Sequence, residues 1–278
     1  MLLYKYIDQN IVNILKDLTL KVNDPEEFND PFDCKPGIIP FQTNGERKGF
    51  IKNKDILDYY YDKFRQKGMV SNKKEFKARW RERRLNILES LDDVGQAARQ
   101  AWESVHTSDF FLILCLSDEI KNNYDEILMW SHYTDGHKGA RVKIDTDHIS
   151  TPCIEVKDIK YLEDRPSFHV SDIILDKPKV QDVTIRSLFV KSPSWAYEKE
   201  YRLLFDQKKC KTSHTETGKF YYVDIKPEAL REIIIGCNVD PAIENNVLEL
   251  LKDDKFKHIQ IKKAVIDHNH YKLIYMDY

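Results

Sequence analysis

The chain has 278 residues, and its 44 Lys and Arg residues nearly balance its 46 Asp and Glu residues, which leaves a formal net charge of −2. This balance excludes a general polyanion binder, because such a protein carries a basic surface. Hydrophobic residues make up 41% of the sequence, which is enough to form a sizeable core. Aromatic residues make up 12%, and this high content is unlike that of disordered proteins.

No segment approaches the roughly 20 consecutive apolar residues of a membrane-spanning helix, and the first residues lack the basic and apolar regions of a signal peptide. The 5 cysteines are scattered without a C-x-x-C pair, which argues against a disulfide framework and a zinc cluster. The 9 glycines form neither G-x-G-x-x-G nor a Walker loop, so the standard phosphate-binding loops are absent. The sequence therefore predicts a cytoplasmic protein that contacts no membrane.

The N-terminal part of the chain mixes short elements with a helical segment. Aromatic and aliphatic residues at 2–6 predict a strand, and apolar side chains at helical spacing predict a short helix at 10–18. The segment 28–34 is rich in Asp, Asn and Pro and is predicted to be a loop anchored by its two phenylalanines. Between 52 and 107, apolar residues repeat three and four positions apart, which predicts two or more helices.

A local excess of basic residues lies within this helical segment, between 71 and 84. Two readings fit it: a nucleic-acid contact in which Trp80 stacks on a base, or a solvent-exposed helix face. The basic residues are Lys73, Lys74, Lys77, Arg79, Arg81, Arg83 and Arg84.

The C-terminal part of the chain is dominated by predicted strands. A continuous apolar run at 110–117 predicts a buried central strand. Further strands are predicted at 140–144, 154–161, 200–205, 220–223, 230–236, 259–264 and 271–276, and helices at 124–133, 183–189 and 241–251. We find no internal repeat or low-complexity linker, so the simplest prediction is a single α+β domain over 1–278, with a mixed or antiparallel central sheet and a helical insertion at 52–107.

Polar and aromatic residues are concentrated at 129–139, and their order follows neither the periodicity of a helix nor that of a strand. Trp130 and Tyr133 lie three apart and share a helix face, Gly139 allows a closely packed strand start, and His137 lies in the loop between. Such a group is suited to hold a planar ring and its sugar. Alternatively, the aromatic residues belong to the core and His137 braces the loop.

A second polar group lies at 191–202. If a strand runs from Tyr197 onward, then Glu198, Glu200 and Arg202 point to one face. A carboxylate paired with arginine stays ionised and fixed, as a group that binds a ribose hydroxyl must. The alternative is an exposed strand face with ordinary ion pairs, which contribute little to stability.

Six segments, taken in this order, resemble a bacterial family called domain of unknown function 2971. The match spans nearly the whole chain, from residue 3 to about residue 271. The segments are Leu3-Tyr4-Lys5-Tyr6, Phe28-Asn29-Asp30-Pro31-Phe32-Asp33, Leu114-Cys115-Leu116-Ser117, Trp130-Ser131-His132-Tyr133 with His137 and Gly139, Trp195 with Tyr197-Glu198 and Glu200-Tyr201-Arg202, and Glu232-Ile233-Ile234-Ile235-Gly236.

The order of parts is also similar, more distantly, to that of ADP-ribosyltransferases, particularly those that modify DNA bases. This resemblance implies NAD as substrate, an ADP-ribosyltransferase-like sheet and no metal. It makes Glu200 or Glu198 the catalytic carboxylate, which contacts the ribose 2′-hydroxyl and stabilises an oxocarbenium-like transition state. The substrate-binding residues that it implies are Lys5, Tyr6, Asn29, Asp30, Phe32, Ser117, Trp130, Tyr133, His137 and Arg202.

Two functions of different classes follow from these observations. The first is an NAD-cleaving transferase or hydrolase, such as a toxin or anti-phage effector, whose basic segment 73–84 would position a nucleic-acid acceptor. The second is a non-enzymatic regulatory module that binds a nucleotide or a protein. A one-residue shift of strand register exchanges the faces, so the sequence leaves open which of Glu198 and Glu200 faces the pocket.

Overall fold

The computed structural model describes residues 1–92, 111–215 and 218–278. Within these residues the chain forms two compact units. The first unit comprises 1–29, 111–161 and 191–278, and the second unit comprises 30–92 and 162–190. No helix among the described residues is both long enough and apolar enough to cross a membrane.

The described strands, in chain order, are β1 (Leu2–Ile7), β2 (Thr19–Val22), β3 (Gly37–Ile39), β4 (Phe111–Ser117), β5 (Ala140–Asp145), β6 (Cys153–Asp158), β7 (Lys160–Tyr161), β8 (Ser167–His169), β9 (Val190–Lys191), β10 (Glu200–Asp206), β11 (Lys211–Thr215), β12 (Gly218–Asp224), β13 (Leu230–Ile235), β14 (Gln260–Ile266) and β15 (Leu273–Asp277). The described α-helices are α1 (Ile11–Asp17), α2 (Asn44–Lys52), α3 (Lys54–Gln66), α4 (Lys73–Asp92), α5 (Asn123–Tyr133), α6 (Asp172–Leu175), α7 (Lys177–Ser187) and α8 (Pro241–Leu250). Short 3-10 helices occur at Pro25–Glu27, Thr146–His148, Pro193–Glu198, Gln207–Lys209, Pro227–Ala229 and Asp254–Phe256.

An eight-stranded sheet forms the centre of the first unit, in the order β15-β14-β13-β5-β1-β4-β10-β6. Its neighbouring strands are antiparallel except for β13 and β14, which are parallel. The predicted α+β class with a mixed central sheet is therefore confirmed. The apolar run of β4 lies in the interior of this sheet, as predicted, although residue 110 of the predicted strand lies outside the described residues.

Side chains that alternate along the strands build a core on each face of this sheet. On one face, Leu3 and Ile7 of β1 pack with buried residues of α1 and α8. On the opposite face, Tyr6 packs with Met129 and Trp130 of α5. The central sheet is thus covered by helices on both faces, which explains the nearly continuous apolar run of its inner strand β4.

A small antiparallel sheet, β11-β12-β2, belongs to the same unit. Leu20 and Val22 of β2 are buried in the main core, together with Tyr221 and Val223 of β12. The residues between them, such as Lys21, therefore point to the other face of the small sheet. This outward face forms part of the candidate site.

The second unit has its own apolar core, built by its helices and by the parallel pair β3 and β8. Helices α3 and α4 lie in the interval 52–107 that we predicted to be a helical insertion, and 93–107 lie outside the described residues. Whether the two units count as a single domain with an insertion stays a prediction.

Two sequence-based expectations for this unit are wrong. Trp80 is 6% exposed, packs on Phe76 and donates its indole N–H to the carbonyl of Ile51 at 3.3 Å, so it cannot stack on a base. Trp80 lies on the apolar stripe of α4, while the basic residues of the helix are exposed except for the half-buried Arg84. Phe32 does not anchor its loop, because it is 61% exposed.

Two glycines of the first unit allow backbones to approach closely. A Cβ at Gly139 would lie 1.9 Å from the carbonyl oxygen of Ile7, and a Cβ at Gly236 would lie 2.2 Å from that of His137. The close packing that the sequence predicted at Gly139 is confirmed.

Replacing Gly139 with alanine should therefore destabilise the fold, because the new methyl group has no room. We expect Gly139→Ala to lower the free energy of unfolding by about 1–3 kcal/mol, measured by urea denaturation with tryptophan fluorescence. Gly49→Ala is the matched control, since a Cβ at Gly49 of α2 meets no atom within 4 Å. It should keep or slightly raise the stability. Equal losses in both variants would contradict the packing argument.

Candidate functional site

The strands β1 and β4 separate beyond a single point of contact. β1 pairs with β5 along its whole length, but it pairs with β4 only at Tyr4 and Ser117. Further along, β4 is bridged at Ile113 by Asn23, which follows β2. The gap between β1 and β4 is crossed by Lys5, whose Nζ donates to the carbonyl oxygen of Cys115 at 3.1 Å.

A cleft of about 900 Å³ opens beside this gap. One wall is the outward face of the small sheet, including Lys21, Asn23, Phe220 and Tyr222. The other walls come from the end of β1, from α1 and from Tyr133 at the end of α5. The cleft therefore combines cationic, amide and aromatic side chains, which suits a polar ligand with a planar ring.

A buried ionic cluster of four side chains lies in the same unit: Lys191, Glu198, Glu200 and Arg202. Nζ of Lys191 lies 2.6 Å from Oε2 of Glu198 and 3.2 Å from Oε2 of Glu200. Arg202 donates through Nε to Oε1 of Glu200 at 2.7 Å, and its side chain is 0% exposed. Each of the four side chains is at most 8% exposed, so this is an interior network and not an exposed strand face.

The local sequence explains how the two carboxylates reach the same lysine. Ser192 and Pro193 begin a 3-10 helix that ends at Glu198, and Lys199 follows in the left-handed conformation with φ of 45°. The strand β10 begins only at Glu200. The strand predicted at 200–205 is confirmed, but the condition that it runs from Tyr197 is not met, because the proline and the serine cap favour a helical turn there.

The environments of the two carboxyl groups shift their pKa values in opposite directions. Burial alone would raise the pKa of Glu200, but the charges of Arg202 and Lys191 and their hydrogen bonds lower it to about 2. Burial raises the pKa of Glu198 to about 7, although Lys191 acts in the opposite direction. At neutral pH, Glu200 is ionised while Glu198 is close to its titration point.

Two residues connect the ionic cluster with the cleft. Tyr133 lines the cleft and donates its hydroxyl hydrogen to Glu198. Lys5 lines the cleft and is attracted by the charge of Glu200, which also accepts a hydrogen bond from the thiol of Cys115. Tyr161 also contacts the cluster, since its hydroxyl oxygen accepts a hydrogen bond from the backbone N–H of Glu200 at 2.8 Å.

Several of the predicted site residues are thus brought together, namely Lys5, Tyr133, Glu198, Glu200 and Arg202. Ser117 is close to them, since it lies opposite Glu200 in the pairing of β10 with β4 and is 5% exposed.

Others have different surroundings. Tyr6 lines the cleft, but its ring packs edge-on against Trp130 at a centroid distance of 5.7 Å. Trp130 is fully buried and donates its N–H to the hydroxyl of Tyr275 at 3.2 Å, so it is not available to stack on a ligand. Asn29 is exposed at the end of a segment of the first unit, and Asp30 and Phe32 belong to the second unit.

His137 lies on a separate cavity of about 530 Å³, which does not include Tyr133. Its ring stacks on that of Trp130 at 6.1 Å, and its Nε2 lies 3.2 Å from the hydroxyl of Ser131. The expected grouping of Tyr133 and His137 around one ring is therefore not formed. No group of three or more His, Cys, Asp or Glu side chains in the described parts of the chain is arranged to hold a metal ion.

Sequence reasoning missed two lysines of this region, Lys191 and Lys21. Lys21 left a weak signal, because it stands between Leu20 and Val22 in a strand where its neighbours face the core. Lys191 opens the segment 191–202, but a single lysine before a turn that contains one proline is ordinary at any protein surface, so its pattern did not mark it as a buried partner of the carboxylates.

Loss of the Glu200 charge should strongly destabilise the protein, because Arg202 would keep a buried charge beside a neutral amide. We expect Glu200→Gln to lower the free energy of unfolding by about 3–5 kcal/mol, measured by urea denaturation at pH 7. The control Glu155→Gln alters a carboxylate on the edge strand β6 that is 44% exposed, and it should change stability by less than about 0.5 kcal/mol. Similar losses in both variants would contradict the buried pairing.

The stability of Glu198→Gln relative to the natural protein should depend on pH. The folded state holds the Glu198 proton up to pH of about 7, whereas the unfolded chain releases it near its ordinary pKa of 4.5. The carboxyl group therefore loses its stabilising contribution as the pH rises through this window, and the variant should gain relative stability between pH 5 and pH 8. The offset of Glu155→Gln should stay constant there, because this substitution on the edge strand β6 leaves the ionic cluster intact. Parallel curves for all three proteins would exclude the raised pKa.

Comparisons with known proteins support part of the family resemblance. Residues 129–203 match the family model described as "Protein of unknown function (DUF2971)". This segment contains Tyr133 and the whole ionic cluster but neither β1 nor the small sheet. No curated protein and no solved structure matches the chain at a significant level. Over residues 129–203 the chain is similar to this family, and none of the comparisons returns an ADP-ribosyltransferase.

Proposed function

We propose that the first unit binds NAD in the cleft and cleaves the bond between nicotinamide and ribose, as an ADP-ribosyltransferase or NAD glycohydrolase does. One observation carries the proposal: two buried carboxylates beside the cleft have pKa values shifted in opposite directions. Pairs of this kind are the usual source of acid and base groups in enzymes that work near neutral pH.

The proposal assigns different roles to the two carboxylates. Glu200 is a positioning residue, because Arg202 and Lys191 hold both of its oxygens. Glu198 is the base, because its pKa of about 7 suits proton transfer at neutral pH and Tyr133 connects it to the cleft. The sequence left the choice between the two open, and the contact with Tyr133 favours Glu198.

The reaction balances with these groups. The bond between ribose C1′ and the nicotinamide nitrogen breaks, and its electron pair stays on the nitrogen, so nicotinamide leaves as a neutral molecule. The acceptor, which is water or a nucleophile of a nucleic acid or protein, forms the new bond to C1′ and loses a proton. Tyr133 accepts this proton while it passes its own hydroxyl proton to the ionised Glu198.

The basic residues of α4 support a nucleic-acid acceptor. Lys73, Lys74 and Lys77 are exposed on this helix, as are Arg79, Arg81 and Arg83, while Arg84 is half-buried. Cations of this kind contact phosphates without reading sequence. A solvent-exposed helix face has the same composition. The basic residues of α4 therefore suggest nucleic acid as the class of acceptor, but the proposed cleavage of NAD does not depend on them.

A second candidate is a non-enzymatic module that binds a nucleotide or a protein. It is favoured by the complete pairing of the two carboxylates, since the Glu198 and Glu200 side chains are only 4% and 5% exposed. In such a module the ionic cluster would fix the cleft wall and take no part in chemistry.

Nicotinamide release from NAD separates the two functions. We expect release by the purified protein, with and without DNA, RNA and protein acceptors, at a rate that rises with pH through about 7. Glu198→Gln and Tyr133→Phe should lower the rate by about 100-fold or more, because each interrupts the proton path. The exposed Glu155→Gln variant serves as the control and should react like the natural protein.

Each outcome of this measurement decides between the functions. An NAD-dependent rise in melting temperature without release would identify the binding module. If the protein neither releases nicotinamide nor shows an NAD-dependent thermal shift, both NAD-based functions are excluded. Release that persists in Glu198→Gln would remove the assigned base.

A further inference from the structure

Among the described residues, the ammonium group of Lys5 has only one hydrogen-bond acceptor. Its Nζ donates to the carbonyl oxygen of Cys115, and no carboxylate oxygen of those residues lies within 4.0 Å of it. An ammonium carries three N–H donors, so two remain directed elsewhere. The side chain lies at the separation of β1 and β4, at the wall of the cleft.

Lys21 lines the same cleft from the small sheet. Its Nζ lies 4.6 Å from the centroid of the Phe220 ring, which fixes its direction by a cation–π contact. No carboxylate oxygen of the described residues lies within 4.0 Å of this Nζ either. Lys211, a third lysine of the cleft, differs from both because it is paired with Asp224 at 2.5 Å.

The two ammonium groups repel each other. Burial lowers the pKa of Lys5, and the positive charge of Lys21 lowers it further, against the attraction of Glu200. Two like charges that share a cleft raise the free energy of the empty site, and an anion placed between them removes this cost. Asp8 and Asp17 also line the cleft, from the turn before α1 and from α1, and the charge of Asp8 acts on the pKa of Lys5 in the opposite direction to that of Lys21.

We infer that Lys5 and Lys21 together bind a phosphate or diphosphate group of the ligand that occupies the cleft. The inference rests on the proposed function in so far as this diphosphate belongs to NAD. The site itself selects the oxyanion, and the amide of Asn23 and the ring of Tyr222 on the same wall are placed to contact the attached nucleoside.

Binding of inorganic pyrophosphate, ADP and adenosine tests this assignment by isothermal titration calorimetry. We expect pyrophosphate and ADP to bind the natural protein, with affinities that fall as salt is added. Lys21→Gln should weaken both by about 10- to 100-fold, since one charge-assisted contact is removed. Adenosine carries no phosphate, and its affinity should be the same in the variant. If ADP binds and pyrophosphate does not, the nucleoside and not the lysine pair provides the affinity, and the inference fails.

Two further variants complete the design. Lys5→Gln should lose pyrophosphate affinity in the same way. Because Lys5 lies within the sheet, the fold of the Lys5→Gln variant is checked by circular dichroism. If this variant unfolds, the test rests on Lys21→Gln alone, since Lys21 is exposed. Lys257→Gln is the matched control, since Lys257 is 72% exposed in the same unit and pairs only locally with Asp254. Its affinity for pyrophosphate should equal that of the natural protein.

The result is independent of catalysis. Loss of pyrophosphate binding in Lys21→Gln supports the anion site even when the natural protein releases no nicotinamide, in which case only the NAD-cleaving function fails. Equal pyrophosphate affinity in Lys21→Gln and the natural protein overturns the anion site, even when nicotinamide is released. Absence of pyrophosphate and ADP binding to the natural protein overturns it as well.

Discussion

The buried guanidinium of Arg202 is the constraint from which the candidate site follows. A charge without contact to water is tolerated only beside a counter-charge that also accepts its hydrogen bonds. Glu200 meets this requirement from two residues away on the same face of β10. Its second oxygen brings in Lys191, and Lys191 in turn holds Glu198. In this ionic network, each charged group is held in place because it neutralises the charge of the group before it.

The separation of β1 from β4 gives this network its access to a ligand. A regular sheet would place the next pair of residues opposite each other and close the space. Here Asn23, the residue after β2, bridges to β4 at Ile113 instead, so the small sheet and the end of β1 form walls of a cleft. Tyr133 and Lys5 are the two side chains that belong both to this cleft and to the surroundings of the ionic cluster. The proposed chemistry and the proposed anion site therefore use side chains that line the same cleft.

Local pattern was sufficient for the elements with strong periodicity. The run of β4, the alternation of β5 and the helical spacing of α5 predicted elements whose bounds agree with the structure to within about two residues. The pairing of Glu200 with Arg202 also followed from the two-residue period of a strand. Glu198 was assigned to the same face for the wrong reason, because it reaches Lys191 from a 3-10 turn before the strand begins.

Trp80 shows the opposite failure. Basic neighbours in the sequence suggested an exposed stacking residue, but on a helix the residue next in sequence points about 100° away, so a buried tryptophan and exposed lysines alternate freely. Tyr133, three positions after the buried Trp130, packs against the same apolar cluster and also lines the cleft, as their shared helix face allows. Neighbours in sequence were therefore a poor guide to neighbours in space at Trp80.

The sequence by itself determined the class of fold, the central apolar strands and the carboxylate and guanidinium that pair within one strand, because these depend on composition, period and short-range spacing. Only the tertiary structure decided that Lys191 joins the two carboxylates, that Lys5 and Lys21 meet in one cleft, and that His137 faces a different cavity. These contacts depend on the order of strands in the sheet and on where two of them separate. Such choices are made by packing across the whole unit, and no local pattern in the chain encodes them.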